Sequence, residues 1–202
     1  FWIILFKTIL SKLYHWKIYV VGSVEYQYPN HLFQAGYFLD KKYYDENTID
    51  FKHLLLSEKN QSLLKDIQNS NSVGVHIRRG DYMTKQNLVI FGNICTQKYY
   101  HDAIRIITEK VNDAVFYVFS DDISWVQTHL DIPNAVYVNW NTGESSIYDM
   151  YLMSSCKYNI IANSTFSYWA ARLNKKTNMV IYPSKWYNTF TPDIFPESWC
   201  GI

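Results

Sequence analysis

In "SVGVHIRRGDY", Ser72–Tyr82, a run of small and β-branched residues passes directly into an imidazole, two guanidiniums, a carboxylate and a phenol. An apolar run without polar alternation reads as a strand, Val73–Ile77, buried on both faces, so the charges fall where it leaves the sheet. Four more runs share the pattern: Ala114–Phe119, Ala135–Val138, Asn159–Ile161 and Met179–Tyr182. Helical spacing fills the gaps. "TQKYYHDAIRIITEKV" takes Thr96 as cap and puts Tyr99, Tyr100, Ala103, Ile104 and Ile107 on one face; "SSIYDMYLMSSC" starts at a serine pair; "STFSYWAARLN" starts at Ser164 or Thr165. Strand alternating with helix implies an α/β fold, a parallel sheet covered on both faces. Ligands in such folds bind outside the carboxyl ends of the strands.

Composition narrows the classes. The 202 residues are 48% hydrophobic and 18% charged, enough for a sizeable core in one or two domains. A formal net charge of +1 provides no general field toward nucleic acid or acidic lipid, and no nucleic-acid partner is expected. The aromatic content, with 18 Tyr and 7 Trp, suits sugar faces, protein interfaces and membrane interfaces alike. Three cysteines, Cys95, Cys156 and Cys200, lack CxxC spacing, which favours a reducing, cytoplasmic compartment over a disulfide framework. The six histidines show no metal-ligand spacing. The N-terminal "FWIILFKTILSKLYHWKIYVV" is interrupted by Lys7, Lys12, His15 and Lys17, so it reads as a buried helix followed by a strand. A helix lying at the inner face of a membrane is the second reading. Residues 30–68 are more polar, with helical spacing at Leu63, Leu64 and Ile67 after a cap at Ser57 or Ser62, and a domain boundary is placed near Ser70.

Three polar clusters fall at strand ends. His76, Arg78, Arg79 and Asp81 follow the first strand. They admit an RGD adhesion tripeptide, a nucleic-acid contact, a solvated surface or an anion clamp. Adjacent guanidiniums repel unless an anion or carboxylates neutralise them, and the arginine fork matches phosphate oxygens, so the clamp is preferred. In "FSDDISW", Phe119–Trp125, capping of the next helix by Ser120 or Asp121 is preferred to ligand contact, and metal binding ranks lower. The third cluster is "DMYLMSSCKYNIIANSTFSYWAARLN", Asp149–Asn174, where Ser164, Thr165 and Ser167 gather at a helix start able to attract anions. Asn163-Ser164-Thr165 is formally a glycosylation sequon, discounted because a glycan would be pressed against the sheet.

Together "HIRRGDY", "FSDD..W", "D.YLMS.CK.NIIANSTFSYWAA.LN" and "VIYPSKW" resemble, in order and spacing, the successive motifs of the α-1,2-fucosyltransferases, glycosyltransferase family 11. The resemblance runs from about Gly36 to Trp186. It implies a GT-B-like architecture with a Rossmann-like donor-binding domain. It also implies GDP-L-fucose as co-substrate, no metal or other cofactor, and inverting transfer to the 2-hydroxyl of a galactose-terminated glycan. On the matching positions, Arg78 and Arg79 would hold the donor diphosphate, His76 and Asp149 would read guanine, and Ser164, Thr165, Phe166 and Ser167 would line the phosphates and nucleoside.

The sequence also departs from the family pattern. No glycine-rich "GGLGNQ" segment, initiator Met or signal peptide occurs, so the chain is expected to start inside the N-terminal domain. Residues 1–69 are then an incomplete acceptor-side domain and residues 70–202 the donor domain. "YMTKQNLVIFGN" has no carboxylate soon after Asp81, leaving Asp81 itself, a group outside the chain, or no base at all. Two alternatives remain beside the enzyme: a non-catalytic GDP-sugar-binding remnant, and another GDP-fucose-using transferase of the protein O- or α-1,6-type.

Overall fold

The computed structural model describes residues 50–202 throughout and the backbone of two short strands before them. The chain divides into two compact units, Phe1–Asp45 with Pro192–Ile194 and Glu46–Thr191 with Phe195–Ile202. In the first, β1 (Tyr19–Val21) pairs in parallel with β2 (Phe33–Ala35). The N-terminal helix expected before β1 lies outside the described residues, as does most of the polar connection before residue 50.

The second unit holds six parallel strands, β3 (Asn71–Ile77), β4 (Ala114–Ser120), β5 (Ala135–Val138), β6 (Tyr158–Ile160), β7 (Met179–Tyr182) and β8 (Cys200–Gly201). Their order across the sheet is β5-β4-β3-β6-β7-β8. The chain therefore winds outward from β3 to one edge and then returns to continue from β6 to the other. This is the α/β, Rossmann-like parallel sheet expected from the sequence, and its order reverses between β3 and β6.

The helices are α1 (Glu58–Asn69), α2 (Lys85–Phe91), α3 (Gln97–Lys110), α4 (Ile123–His129), α5 (Ser146–Ser154) and α6 (Thr165–Arg172). Ser57, Thr84, Thr96 and Asp122 start α1 to α4, each side chain accepting from the amide three residues on. The cap of α4 is thus one residue beyond the Ser120 or Asp121 expected. Side-chain alternation sorts the two faces. Val73, Val75, Ile77, Phe116 and Val118 pack with Tyr99, Tyr100, Ile104 and Ile107 of α3. Tyr117, Phe119 and Val138 pack with Leu63 and Ile67 of α1, Leu152 and Met153 of α5, and Ala170 and Ala171 of α6. Helix α1 precedes the expected boundary at Ser70 yet packs on β3 within the same unit.

On that second face β3 presents Ser72, Gly74 and His76, the first two small where its neighbours are large. A Cβ at Gly74 would stand 2.9 Å from Asn159 Nδ2 and 3.0 Å from Met153 Cγ, so glycine admits α5 and β6 close to the strand. Much of the aromatic excess is core: Tyr168, Tyr182, Trp186, Phe195 and Trp199 form one ring cluster, with Tyr182 stacked on Phe195 at 3.9 Å.

Candidate active site

The charged end of β3 is a closed ion cluster. Arg78 Nη2 donates to Asp81 Oδ1 at 2.6 Å while its Nη1 lies 2.9 Å from Asp121 Oδ2. Asp121 Oδ1 accepts the Arg79 amide at 2.9 Å. A Cβ on Gly80 would collide with the Asp121 carboxylate, which is why glycine follows the arginine pair. Asp121 is therefore a partner of the arginines, while the helix cap falls to Asp122.

The two arginines do different work. Arg79 Nε donates to Asp122 Oδ2 at 3.2 Å, and its guanidinium lies 3.7 Å from the centre of the Trp125 ring. Its side chain is 19% exposed against 34% for Arg78. Arg79 thus ties β3 to α4, whereas the hydrogen-bonding fork of Arg78 is taken by carboxylates that an anion can replace, with the Tyr82 ring 5.6 Å from its guanidinium. The tripeptide Arg79-Gly80-Asp81 has its arginine clasped by α4 and its aspartate by Arg78, so it offers no free adhesion motif.

His76 and the start of α6 meet across the switch point. The His76 ring lies 5.0 Å from Phe166. His76 is 5% exposed, its Nδ1 has no hydrogen-bond partner, and burial with the nearby Arg78 charge holds its pKa down to about 3. It is a neutral imidazole at physiological pH. Thr165 and Phe166 are half-buried at the first turn of α6, where helix geometry leaves amides without intrahelical partners. Ser164 and Ser167 are buried. The Ser167 hydroxyl accepts the Ala162 amide at 3.2 Å and donates to the Ser164 carbonyl at 3.3 Å, so it closes the turn from inside instead of lining phosphates.

Asn163, 2% exposed, gives its side-chain amide to the carbonyls of Phe91 and Trp186, which leaves the sequon no free amide. Its own carbonyl accepts from the Tyr82 hydroxyl at 2.9 Å, so "RRGDY", "NST" and "PSKW" are bonded into one piece.

Asp149 sits in a separate setting. It is 9% exposed, and burial pushes its pKa up to about 7 against the opposing effect of an Asn141 hydrogen bond at 2.6 Å. Asn141 exchanges hydrogen bonds with Asn60, and Asn60 also accepts from Trp140 Nε1 at 2.7 Å. The hydrogen bonds and ion pairs of the described residues join Arg78 with Asp81 and Asp121, and Asp149 with Asn141, but do not join the two groups to each other.

Sequence reasoning passed over Asn60, Trp140 and Asn141. Signals were available: Trp140 and Asn141 follow the end of β5, as Arg78 follows β3, and Asn60 occupies the stripe of Leu63 and Ile67 on α1. A polar residue in a buried stripe demands a partner.

Among the described residues no cluster of three or more His, Cys, Asp or Glu could hold a metal ion, all three cysteines are free, and no helix is long and apolar enough to cross a membrane. A cavity of about 240 Å³ near Thr96, Lys98, Asp102, Ser184 and Lys185 is lined by none of the expected site residues.

Comparison with known proteins gives this geometry a family. An alpha-1,2-colitosyltransferase of Escherichia coli is 35% identical over 196 residues, covering 90% of this chain and 63% of that protein. The O-antigen biosynthesis glycosyltransferase WbnK of E. coli is 44% identical over 122 residues, 59% of this chain and 40% of that protein. The galactoside alpha-(1,2)-fucosyltransferase 2 of Pongo pygmaeus is 28% identical over 163 residues, 74% of this chain and 48% of that protein. The chain thus spans about two fifths to two thirds of the length of these relatives. The family model for glycosyl transferase family 11 aligns from residue 6 to residue 202, through every element described above, and the chain belongs to that family.

Proposed function

We propose that the protein transfers L-fucose from GDP-L-fucose to the 2-hydroxyl of a galactose-terminated glycan. The observation that carries this is the grouping of Arg78, His76 and the first turn of α6 at the point where the strand order reverses, on a family 11 chain. In this reading the donor domain is residues 70–202 joined by helix α1, which packs on β3 in the same unit. A diphosphate entering the crevice takes the place of Asp81 or Asp121 on the Arg78 fork, with the α6 amides on its other side. Asp149, ionised once a base is bound, accepts from guanine N1-H and the exocyclic amine.

Cleavage of the fucose–phosphate bond moves negative charge onto GDP. Arg78, already fixed in place, stabilises that charge more in the transition state than in the ground state. The chemistry needs no metal because the guanidinium supplies the neutralising charge, and attack opposite the departing GDP inverts the anomeric centre. Asp81 serves as base only if Arg78 releases it when the diphosphate binds. The near-neutral charge and free cysteines support a cytoplasmic setting without a nucleic-acid partner, where peripheral contact with a membrane remains compatible.

The colitosyltransferase relative favours a second reading in which the sugar moved is colitose, fucose without its 3-hydroxyl. An assay of the full-length protein with GDP-fucose and GDP-colitose against β-galactoside acceptors, read by mass spectrometry, separates the two. Fucose transfer is the expected result. Binding of GDP-fucose with no transfer to any β-galactoside would overturn the proposal and favour a non-catalytic GDP-sugar-binding protein.

A further inference from the structure

The network behind Asp149 has a fixed direction. An indole N-H can only donate, so the atom of Asn60 that meets Trp140 Nε1 at 2.7 Å must be its carbonyl oxygen. The Asn60 amine then faces Asn141 and donates to its Oδ1 at 3.0 Å, while Asn60 Oδ1 accepts back from Asn141 Nδ2 at 3.1 Å. One Asn141 N-H remains, and it points to Asp149 Oδ1 at 2.6 Å. With Asn141 flipped, Asp149 would face an oxygen and could approach it only as a protonated acid.

We propose that Trp140, Asn60 and Asn141 are positioning residues that orient Asp149 as a hydrogen-bond acceptor toward a nucleotide base, the orientation being passed from the indole N-H through two amides. The base-reading part rests on the donor-site reading above. Because one Asp149 oxygen is occupied by Asn141 and the side chain is nearly buried, a ligand is met in one orientation.

Burial raises the Asp149 pKa and the Asn141 bond opposes it. Of the ionisable groups on the elements packed around it, Glu58, Lys59, Lys65 and Asp66 on α1, Arg172 on α6, His76 on β3, Tyr117 on β4 and Glu144 in the turn before α5, none adds to those two causes. Lys59, 3.8 Å over the Trp140 ring, covers the outer end of the network.

The test is the titration of Asp149, read from urea unfolding of the whole chain as a function of pH, in the unaltered protein and in Trp140→Phe, Asn60→Leu and Asn141→Leu. Trp140→Phe keeps an aromatic ring, removes the N-H and leaves the Asn60, Asn141 and Asp149 side chains unaltered, so it folds if any of them does. The relay predicts that each variant moves the Asp149 midpoint up from about 7. It further predicts that GDP affinity at pH 7, by calorimetry, falls about tenfold in each. In an Asp149→Asn background the same three changes should leave GDP affinity as that single variant has it. An unshifted midpoint in Trp140→Phe, or equal losses with and without Asp149, overturns the relay. If the unaltered protein fails to bind GDP, the donor-site reading falls, while the unfolding titration still decides the orientation of Asp149.

Discussion

Two polar regions flank the same sheet and are built on opposite principles. At the exit of β3, Arg78 and Arg79 are held by full charges, Asp81, Asp121 and Asp122, in side chains that water still reaches. Behind Asp149, one carboxyl is held by amides and an indole, nearly out of water. Solvent makes the first arrangement affordable, since exposed ion pairs cost little to form and contribute little. Burial forbids the same solution to Asp149: an unpaired charge there is penalised by desolvation, so the carboxyl shifts its pKa and relies on directed hydrogen bonds. One region can exchange its partners for an incoming anion; the other is set in advance.

The largest expected effects lie on the buried side. Asp149 has a folded pKa of about 7 and an unfolded one near 3.8, so the folded state binds more protons between them, and its contribution to stability falls as pH rises through that window. His76 has a folded pKa of about 3 and an unfolded one near 6.5, so the unfolded state binds more protons there, and stability is lost as pH falls through that window. Between about pH 4 and 6.5 the two slopes oppose each other. Asp149→Asn should therefore expose the rise with pH due to His76 and stand on the order of a few kcal/mol above the unaltered protein at pH 8. His76→Phe should expose the fall due to Asp149. Urea unfolding from pH 4 to 8 checks both, and parallel curves for all three proteins would refute the assigned shifts.

On the charged side, Arg78→Ala should weaken GDP binding on the order of tenfold to a hundredfold with the fold retained, by calorimetry and circular dichroism. Arg78→Lys should lose most of this too, because a point charge cannot span two oxygens. Unchanged affinity would remove Arg78 from the donor site. Arg79→Ala should act the other way round, costing about 1–2 kcal/mol of stability, partly salt-sensitive, while GDP binding persists. The smallest change, Gly80→Ala, should push Asp121 off its place beside Arg78 and lower stability by about 1 kcal/mol or less, with GDP affinity moving less than twofold.

Most of the sheet was legible in the chain itself. Runs such as Val73–Ile77 and Phe116–Phe119 are buried on both faces, so their unbroken apolar character marks them as parallel strands wherever they sit, and the half-buried edge run Ala135–Val138 carries the same pattern. Thr96, Ser57 and the stripe of α3 declare helix starts and faces by local chemistry alone. The short strand β8 and helix α2 escaped, since Cys200–Gly201 is a strand only through its pairing with Ile181 and Tyr182, and α2 has no buried stripe.

The sequence by itself also determined that polar groups gather at the carboxyl ends of strands, because helix and strand periods fix where each element stops. Only the tertiary structure decided which of those groups meet. Asp121 reaches Arg78 across more than forty residues, Asn60 reaches Asn141 across 81, and Arg79 turns to Trp125 instead of toward the crevice. Hydrogen bonds and ion pairs depend on distances of about 3 Å, and such distances between remote residues are set by how the sheet brings its strand ends together, not by spacing along the chain.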